Sequence, residues 1–213
     1  MTGNEPVVLV TGGSRRVGAA IVQRLHREGW RVAIHYRASQ PEAAALADQL
    51  NAMRPNSALT VAAELLEVAA LAPLVARVVE HFGRLDALVN NASTYYATPI
   101  GDIAMQDWEA LMGSNLRAPL FLAQAAAPHL KASGGSIVNI TDIHTERPMP
   151  DYVVYNVAKA GLRGLTHALA RDLAPAAELI ARVAACCGSV RALLQLADLT
   201  RDGDDLGGGA GVA

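Results

Sequence analysis

Val7-Val-Leu-Val-Thr-Gly-Gly-Ser-Arg-Arg-Val-Gly18 sets an apolar run, a glycine turn and the opening of a helix end to end. Residues 7–11 read as a buried strand, 11–15 as the turn, and 16–28 as a helix with Val17, Ala20, Ile21 and Leu25 on one face. Glycines between a strand and a helix let the backbone approach a pyrophosphate, and the helix N-terminus offers it free N–H groups and a positive dipole end. An ordinary strand-to-helix turn has the same local chemistry. What favours the nucleotide reading is position, because this turn opens a series of alternating strands and helices.

Outward from it, Arg31–Tyr36 reads as a second strand, 41–53 as a helix with Pro41 in its first turn, and Ala58–Ala62 as a third strand. A helix over about 73–82 stops at Gly83, and residues 85–90 form a fourth strand. An irregular stretch from Asn91 to about Ala104 leads into a long helical region containing Trp108, Leu111, Asn115 and Leu116 and ending at Ser133-Gly134-Gly135. Ser136–Thr141 is a fifth strand, a loop with Pro148 and Pro150 follows, and residues 154–173 form a helix ended by Pro175. Short apolar strands alternating with amphipathic helices predict an α/β fold: a Rossmann-like, doubly wound parallel sheet in a single domain over residues 1–175.

Composition agrees. The chain has 213 residues, 52% hydrophobic but only 4% aromatic, which suits helices packed on a buried parallel sheet. A formal charge of −2 points to neither a nucleic-acid nor a membrane partner. Neighbouring Cys186 and Cys187 are too few and too close for a disulfide framework or a metal site, so a reducing, cytoplasmic setting is expected, with no metal. The apolar run at 7–10 meets Arg15 and Arg16 too soon to be a signal peptide, and no stretch approaches about 18 apolar residues.

Three further stretches carry chemistry. At the end of the second strand, His35-Tyr36-Arg37-Ala38-Ser39 holds no carboxylate to bind a ribose 2′-hydroxyl, whereas Arg37, Ser39 and Arg15 suit a 2′-phosphate. NADPH is therefore favoured over NADH. Asn90-Asn91-Ala92-Ser93 ends the fourth strand at the carboxyl edge, where open α/β sheets bind ligands. Tyr155 and Lys159, four residues apart on a predicted helix, share a face, so the ammonium can favour ionisation of a phenol whose ordinary pKa is about 10. In isolation such a pair is more often a core ring and a solvated charge.

Taken together, the turn from Thr11-Gly12 to Gly18, the Asn90-Asn91-Ala92 run, Asn115 in its helix and the Tyr155/Lys159 pair resemble, in that order, the short-chain dehydrogenase/reductase family. Within it the chain is most similar to the pteridine reductases and dihydromonapterin reductases. Arg16 replaces the usual middle glycine of the turn, His35-Tyr36 followed by Ser39 matches theirs, and Asp142 replaces the Ser usual thirteen residues before the tyrosine. The replacement suits a C=N bond, whose nitrogen must receive a proton that a carboxyl beside a phenol can relay.

The resemblance implies Asp142, Tyr155, Lys159 and Asn115 as catalytic residues. It implies a cofactor held by Gly12, Ser14, Arg15, Arg16, Val17 and Gly18 of the turn, by His35, Tyr36, Arg37 and Ser39, by Asn91, Ala92 and Ser93, and by Tyr155 and Lys159. A pterin would meet Arg16, Ser93, Asp142 and Tyr155, with Tyr95 stacked on its ring; Tyr96 and Trp108 read as packing residues. The implied activity is transfer of hydride from NADPH to a dihydropterin or dihydrofolate-like substrate. A carbonyl or 3-oxoacyl thioester reductase of the same family is the alternative.

Residues 176–213 depart from the family pattern. Arg182-Val183 is not followed by Pro-Gly, residues 178–190 are apolar without a clear period, 191–199 could form a short helix, and the chain ends in a Gly-rich tail expected to be partly disordered. The C-terminal strands are thus expected to be truncated or altered, as from a shifted frame or shortened gene, leaving the sheet to end early with an exposed edge and the nicotinamide short of part of its wall. From this follow a doubtful tetramer, though a homo-oligomer remains open, and a third reading: a catalytically weak or silent nucleotide-binding chain.

Overall fold

The computed structural model describes residues 5–173 and the backbone of 180–185. Strand β1 (Val7–Val10) is buried at all four positions and divides its side chains between two cores. Val7 and Leu9 face one and Val8 and Val10 the other, as a strand covered on both faces requires. β2 (Arg31–Tyr36) and β4 (Ala87–Asn90) flank it, both parallel. β3 (Ala58–Ala62) lies beyond β2, and β5 (Ser136–Thr141) beyond β4. With β6 (Ile180–Ala185) beside β5, the sheet order is β3-β2-β1-β4-β5-β6. The chain winds one way through β3 and then crosses β1 to β4, so a crevice opens at the carboxyl ends of β1 and β4.

Helices α1 (Arg16–Arg27) and α2 (Gln40–Met53) cover one face through Ile21, Val22, Leu46 and Leu50. On the other lie α3 (Val68–Phe82) and, after the peripheral α4 (Met105–Met112), α5 (Ala118–Ser133); α6 (Val153–Leu173) joins them through Leu169 and Leu173. Leu71, Leu74, Val75, Val78 and Phe82 give α3 a buried stripe at helical spacing. α3 begins five residues before the predicted start at Pro73, because a proline one and a half turns in removes only the bond to the Ala69 carbonyl and does not begin the helix.

Two further expectations are corrected. The predicted single helix from Trp108 to Leu130 is interrupted by a π-helical turn at Gly113–Arg117. Gly113 at its start packs closely, since a Cβ there would lie 2.6 Å from Leu66 Cδ2 and the leucine end would have to move. And the sheet does not end at β5, since β6 pairs with it from Ser136↔Ile180 to Thr141↔Ala185. The missing Pro-Gly after Arg182-Val183 does not prevent the strand, because a parallel ladder asks only for an extended backbone in register. The expectations for Cys186, Cys187, the helix at 191–199 and the tail lie outside the described residues.

Candidate active site

The glycine turn is built against the ends of β2 and β4. Gly12 takes φ +61°, and a Cβ on Gly18 would sit 2.1 Å from the Gly12 carbonyl oxygen and 2.7 Å from Asn91 Nδ2, so only glycine fits at Gly18. Thr11 anchors the turn to β4: its Oγ1 accepts the N–H groups of Asn91 at 2.9 Å and Ala92 at 3.0 Å. Asn91 returns the contact, its amide donating to the carbonyls of Thr11 at 2.9 Å and Gly12 at 3.2 Å.

His35 holds the other side. Its Nδ1 accepts the Gly12 N–H at 3.0 Å, its own carbonyl accepts the Gly13 N–H at 2.9 Å, and its Nε2 meets the Ala63 carbonyl at 3.2 Å. These partners fix the neutral Nε2–H tautomer, and burial lowers the imidazole pKa. His35 thus shapes the turn from behind rather than presenting itself to a ligand, which refines its expected cofactor role. Tyr36 likewise packs half-buried against the core under α1 and α2.

The mouth of the turn fits an anion. The start of α1 has no side-chain cap and no acidic residue in its first turn, so its N–H groups remain available. Ser14 Oγ and Ser39 Oγ lie 2.7 Å apart at the floor. Arg16, at φ +50°, stands exposed where the turn bends, with Val17 beside it. Arg37 is exposed and has no ion-pair partner among the described residues, while Arg15 reaches Glu42 at 3.4 Å in an exposed pair worth under about 1 kcal/mol. Both cations are free to turn to a phosphate.

The second cluster gathers four distant segments. Tyr155 Oη donates to Asp142 Oδ2 at 2.7 Å, and Asp142 Oδ1 accepts the His144 N–H at 3.1 Å. Asp142 is therefore both phenol partner and cap of the 3-10 turn Ile143–Thr145. Asn115, fully buried in the π turn, donates to the carbonyls of Leu111 and Thr94, each at 2.9 Å, and accepts the Ser93 hydroxyl at 2.7 Å. Lys159, also buried, donates to the Ile140 carbonyl at 2.9 Å and lies 5.9 Å from the centre of the Tyr155 ring.

The expected ionisation of Tyr155 is not what the cluster produces. Burial first, then the bond to Asp142 and its negative charge, push the phenol well above its ordinary value, and the Ser93 hydroxyl beside it pulls only partly the other way. At neutral pH Tyr155 therefore holds its proton, as a donor must.

Aromatic rings wall the cluster. Tyr95 stacks on Tyr152 with centroids 4.7 Å apart and meets Tyr155 edge-on at 4.9 Å. A bridge between Thr98 and Tyr152 joins the two loops that carry them. Tyr96 packs beside Leu111, Val154 and Tyr155, as expected, whereas Trp108 is 43% exposed and is not the packing residue it was taken for. Being on the outer side of the short α4, it has no core to meet.

The motifs include Thr11 and Asn90 but not the anchoring by Thr11 Oγ1, the part of Tyr152 or the buried amide chain that Asn90 begins. In that chain Asn90 Nδ2 donates to Asn139 Oδ1 at 2.8 Å and Asn139 Nδ2 to Thr166 Oγ1 at 2.9 Å, tying β4, β5 and α6. Neither Tyr152 nor the amide chain has a local signal: Tyr152 lies just before α6 and its part shows only in its stacking on Tyr95, and the amide chain joins residues far apart in sequence.

The pattern of the short chain dehydrogenase family matches residues 6–200, past Pro175 where the resemblance was expected to stop. The chain is 39% identical over 207 residues to "Pteridine reductase 1" of Leishmania tarentolae, covering 79% of this chain and 72% of that protein. It is 40% identical over 179 residues to "Granaticin polyketide synthase putative ketoacyl reductase 2" of Streptomyces violaceoruber, covering 80% and 68%. With a "3-oxoacyl-[acyl-carrier-protein] reductase" of Staphylococcus aureus identity is 32% over 167 residues, covering 78% and 68%. No helix among the described residues is long and apolar enough to cross a membrane.

Proposed function

The chain belongs to the short chain dehydrogenase family of oxidoreductases, and from that premise we propose that it is an NADPH-dependent reductase acting on a dihydropterin or dihydrofolate-like substrate. Ser14, Arg15, Arg16 and the uncapped start of α1 would take the cofactor's phosphates, Arg37 and Ser39 its 2′-phosphate, and Lys159 its nicotinamide ribose. Once bound, the dihydronicotinamide supplies a hydride. Everything else is proton handling by this chain.

The observation that carries the reading is the 2.7 Å bond between Tyr155 Oη and Asp142 Oδ2. A serine at position 142 would offer a hydroxyl to a ketone oxygen; a carboxyl instead gives the phenol a partner through which a proton can be replaced after Tyr155 has protonated a ring nitrogen. Ser93, oriented by Asn115, stands beside that phenol. Tyr95, half-exposed and set edge-on to Tyr155, presents an aromatic wall to a flat bicyclic substrate.

The similarity to ketoacyl reductases supports a second reading, reduction of a 3-oxoacyl thioester. NADPH oxidation measured with dihydrobiopterin and with an acetoacetyl thioester separates the two. The pterin is expected to be preferred at least about tenfold, and Asp142→Ser to lower the pterin rate by about 100-fold. A preference for the thioester that Asp142→Ser leaves intact establishes the second reading instead.

A further inference from the structure

His144 has a role that the proton chemistry above leaves open. Its Nδ1 lies 2.9 Å from the Arg147 carbonyl oxygen, an atom that can only accept, so Nδ1 carries a proton. Its Nε2 faces Asp142 Oδ1 at 3.9 Å. That oxygen belongs to the carboxyl whose other oxygen holds the Tyr155 hydroxyl. With Nδ1 protonated, a neutral His144 turns a lone pair toward Asp142, which is unfavourable against a carboxylate and favourable against a carboxylic acid. A charged His144 turns an N–H toward it, which suits the carboxylate. In either favourable state the pair holds one proton between the two side chains.

The pair also opens to water. The His144 and Asp142 side chains are 28% and 23% exposed, and His144 lines a groove of about 450 Å³ together with Met149, Asp151, Asn156 and Val157. A rotation of the imidazole, or one water, closes the 3.9 Å gap. The other charges around it are accounted for. Glu146 is paired with Arg163 of α6 at 3.0 Å, Lys159 faces the Ile140 carbonyl, Arg147 is exposed and offers His144 its backbone carbonyl, and Asp151 stands on the groove wall.

We propose that His144 is the positioning residue that resupplies the reaction's proton, passing it from solvent to Asp142 and through Asp142 to Tyr155. The proposal rests on the reductase reading above. In each turnover the substrate gains a hydride at carbon and a proton from Tyr155 Oη at nitrogen. The His144 Nε2–H bond breaks as an O–H bond forms on Asp142 Oδ1, and a half-turn of the carboxyl presents that proton to the phenolate. Neutral His144 then takes a proton from water in the groove. The cofactor is oxidised, the substrate reduced, and one proton is consumed from solvent.

The test is steady-state kinetics of wild type, His144→Gln and His144→Asn from pH 5.5 to 9, with and without added imidazole, on whichever of dihydrobiopterin and the acetoacetyl thioester the wild type reduces. Circular dichroism establishes that the variants are folded. The expected result is a kcat lowered about tenfold with KM within about twofold, a pH profile of kcat altered from that of the wild type, and several-fold recovery in imidazole. A kcat within twofold of wild type, or a loss that imidazole does not restore and that leaves the pH profile unchanged, overturns the relay. A wild type that reduces only the thioester overturns the pterin reading while the relay is still read on that substrate; a wild type that reduces neither overturns both.

Discussion

The glycine turn at residues 12–18 and the cluster around Tyr155 are held in opposite ways. The turn is fixed largely by backbone: Gly18 packed on the Gly12 carbonyl, and main-chain N–H groups received by Thr11 and His35. The Tyr155 cluster is fixed by side chains sent from 93–95, 115, 142–152 and 155–159, with Asn115, Tyr155 and Lys159 buried and Ser93, Tyr95, Asp142 and Tyr152 open to solvent in part. A phosphate needs a rigid ring of N–H groups, which glycine sterics supply; a reacting substrate needs groups that move protons, and those must stay reachable. One region is therefore intolerant of shape change, and the other of chemical change.

Gly18→Val tests the first half of that contrast and should have the largest effect. No rotamer relieves a Cβ 2.1 Å from a backbone oxygen, so the turn or α1 must shift. Loss of about 3 kcal/mol of stability is expected, with NADPH binding beyond detection by calorimetry. A variant that binds NADPH within tenfold of wild type would break the contrast.

Tyr155→Phe tests the second half. It removes the hydroxyl held by Asp142 and little volume, and Asp142 is open enough for water to replace it. Turnover should fall by about 100- to 1000-fold, while thermal stability moves by no more than about 1 kcal/mol and NADPH affinity by under threefold. An equal loss of binding and turnover would mean that the two regions are not separable.

Acid pH gives the smallest effect and falls on two buried histidines, His35 behind the turn and His26 at the far end of α1. His35 and His26 both have pKa values lowered, in each case by burial first. The unfolded chain protonates its histidines near pH 6.5, so stability present above that value is lost as pH falls toward the lower folded values. A loss of stability between pH 7 and 5 is therefore expected in urea unfolding. His35→Asn, which can keep an acceptor for the Gly12 N–H, should flatten part of that slope.

The contrast also explains what the sequence disclosed. Gly12, Gly18 and the alternating elements declare a doubly wound sheet because each is a local constraint with its own residue signature. Tyr155 and Lys159 share a helix face and are legible as a pair, whereas the burial and the Asp142 partner that push the phenol up come from elements distant in sequence and are not. Asp142 was singled out by its place before Tyr155, but its double role is visible only when both oxygens have partners. Tyr152 and Asn139 gave less warning, since a stacking ring and a buried amide are defined by neighbours far away in sequence. The strand at Ile180–Ala185 is not legible, because the missing Pro-Gly and the unclear period leave no local sign of it.

The π turn at Gly113–Arg117 has a consequence for chain length. Such a turn is an α-helix with one residue too many, and each residue of an α-helix advances the chain by about 100° around the axis. Deleting one residue there would let α4 and α5 fuse into an unbroken helix, rotating Asn115 away from Ser93 and Thr94 while the apolar face of α5 stayed seated. The extra residue thus acts as a fixed phase offset between a helix that serves the core and an amide that holds Ser93 and Thr94, so homologues should tolerate insertions before Met105 or after Ser133 far more readily than a single deletion between them.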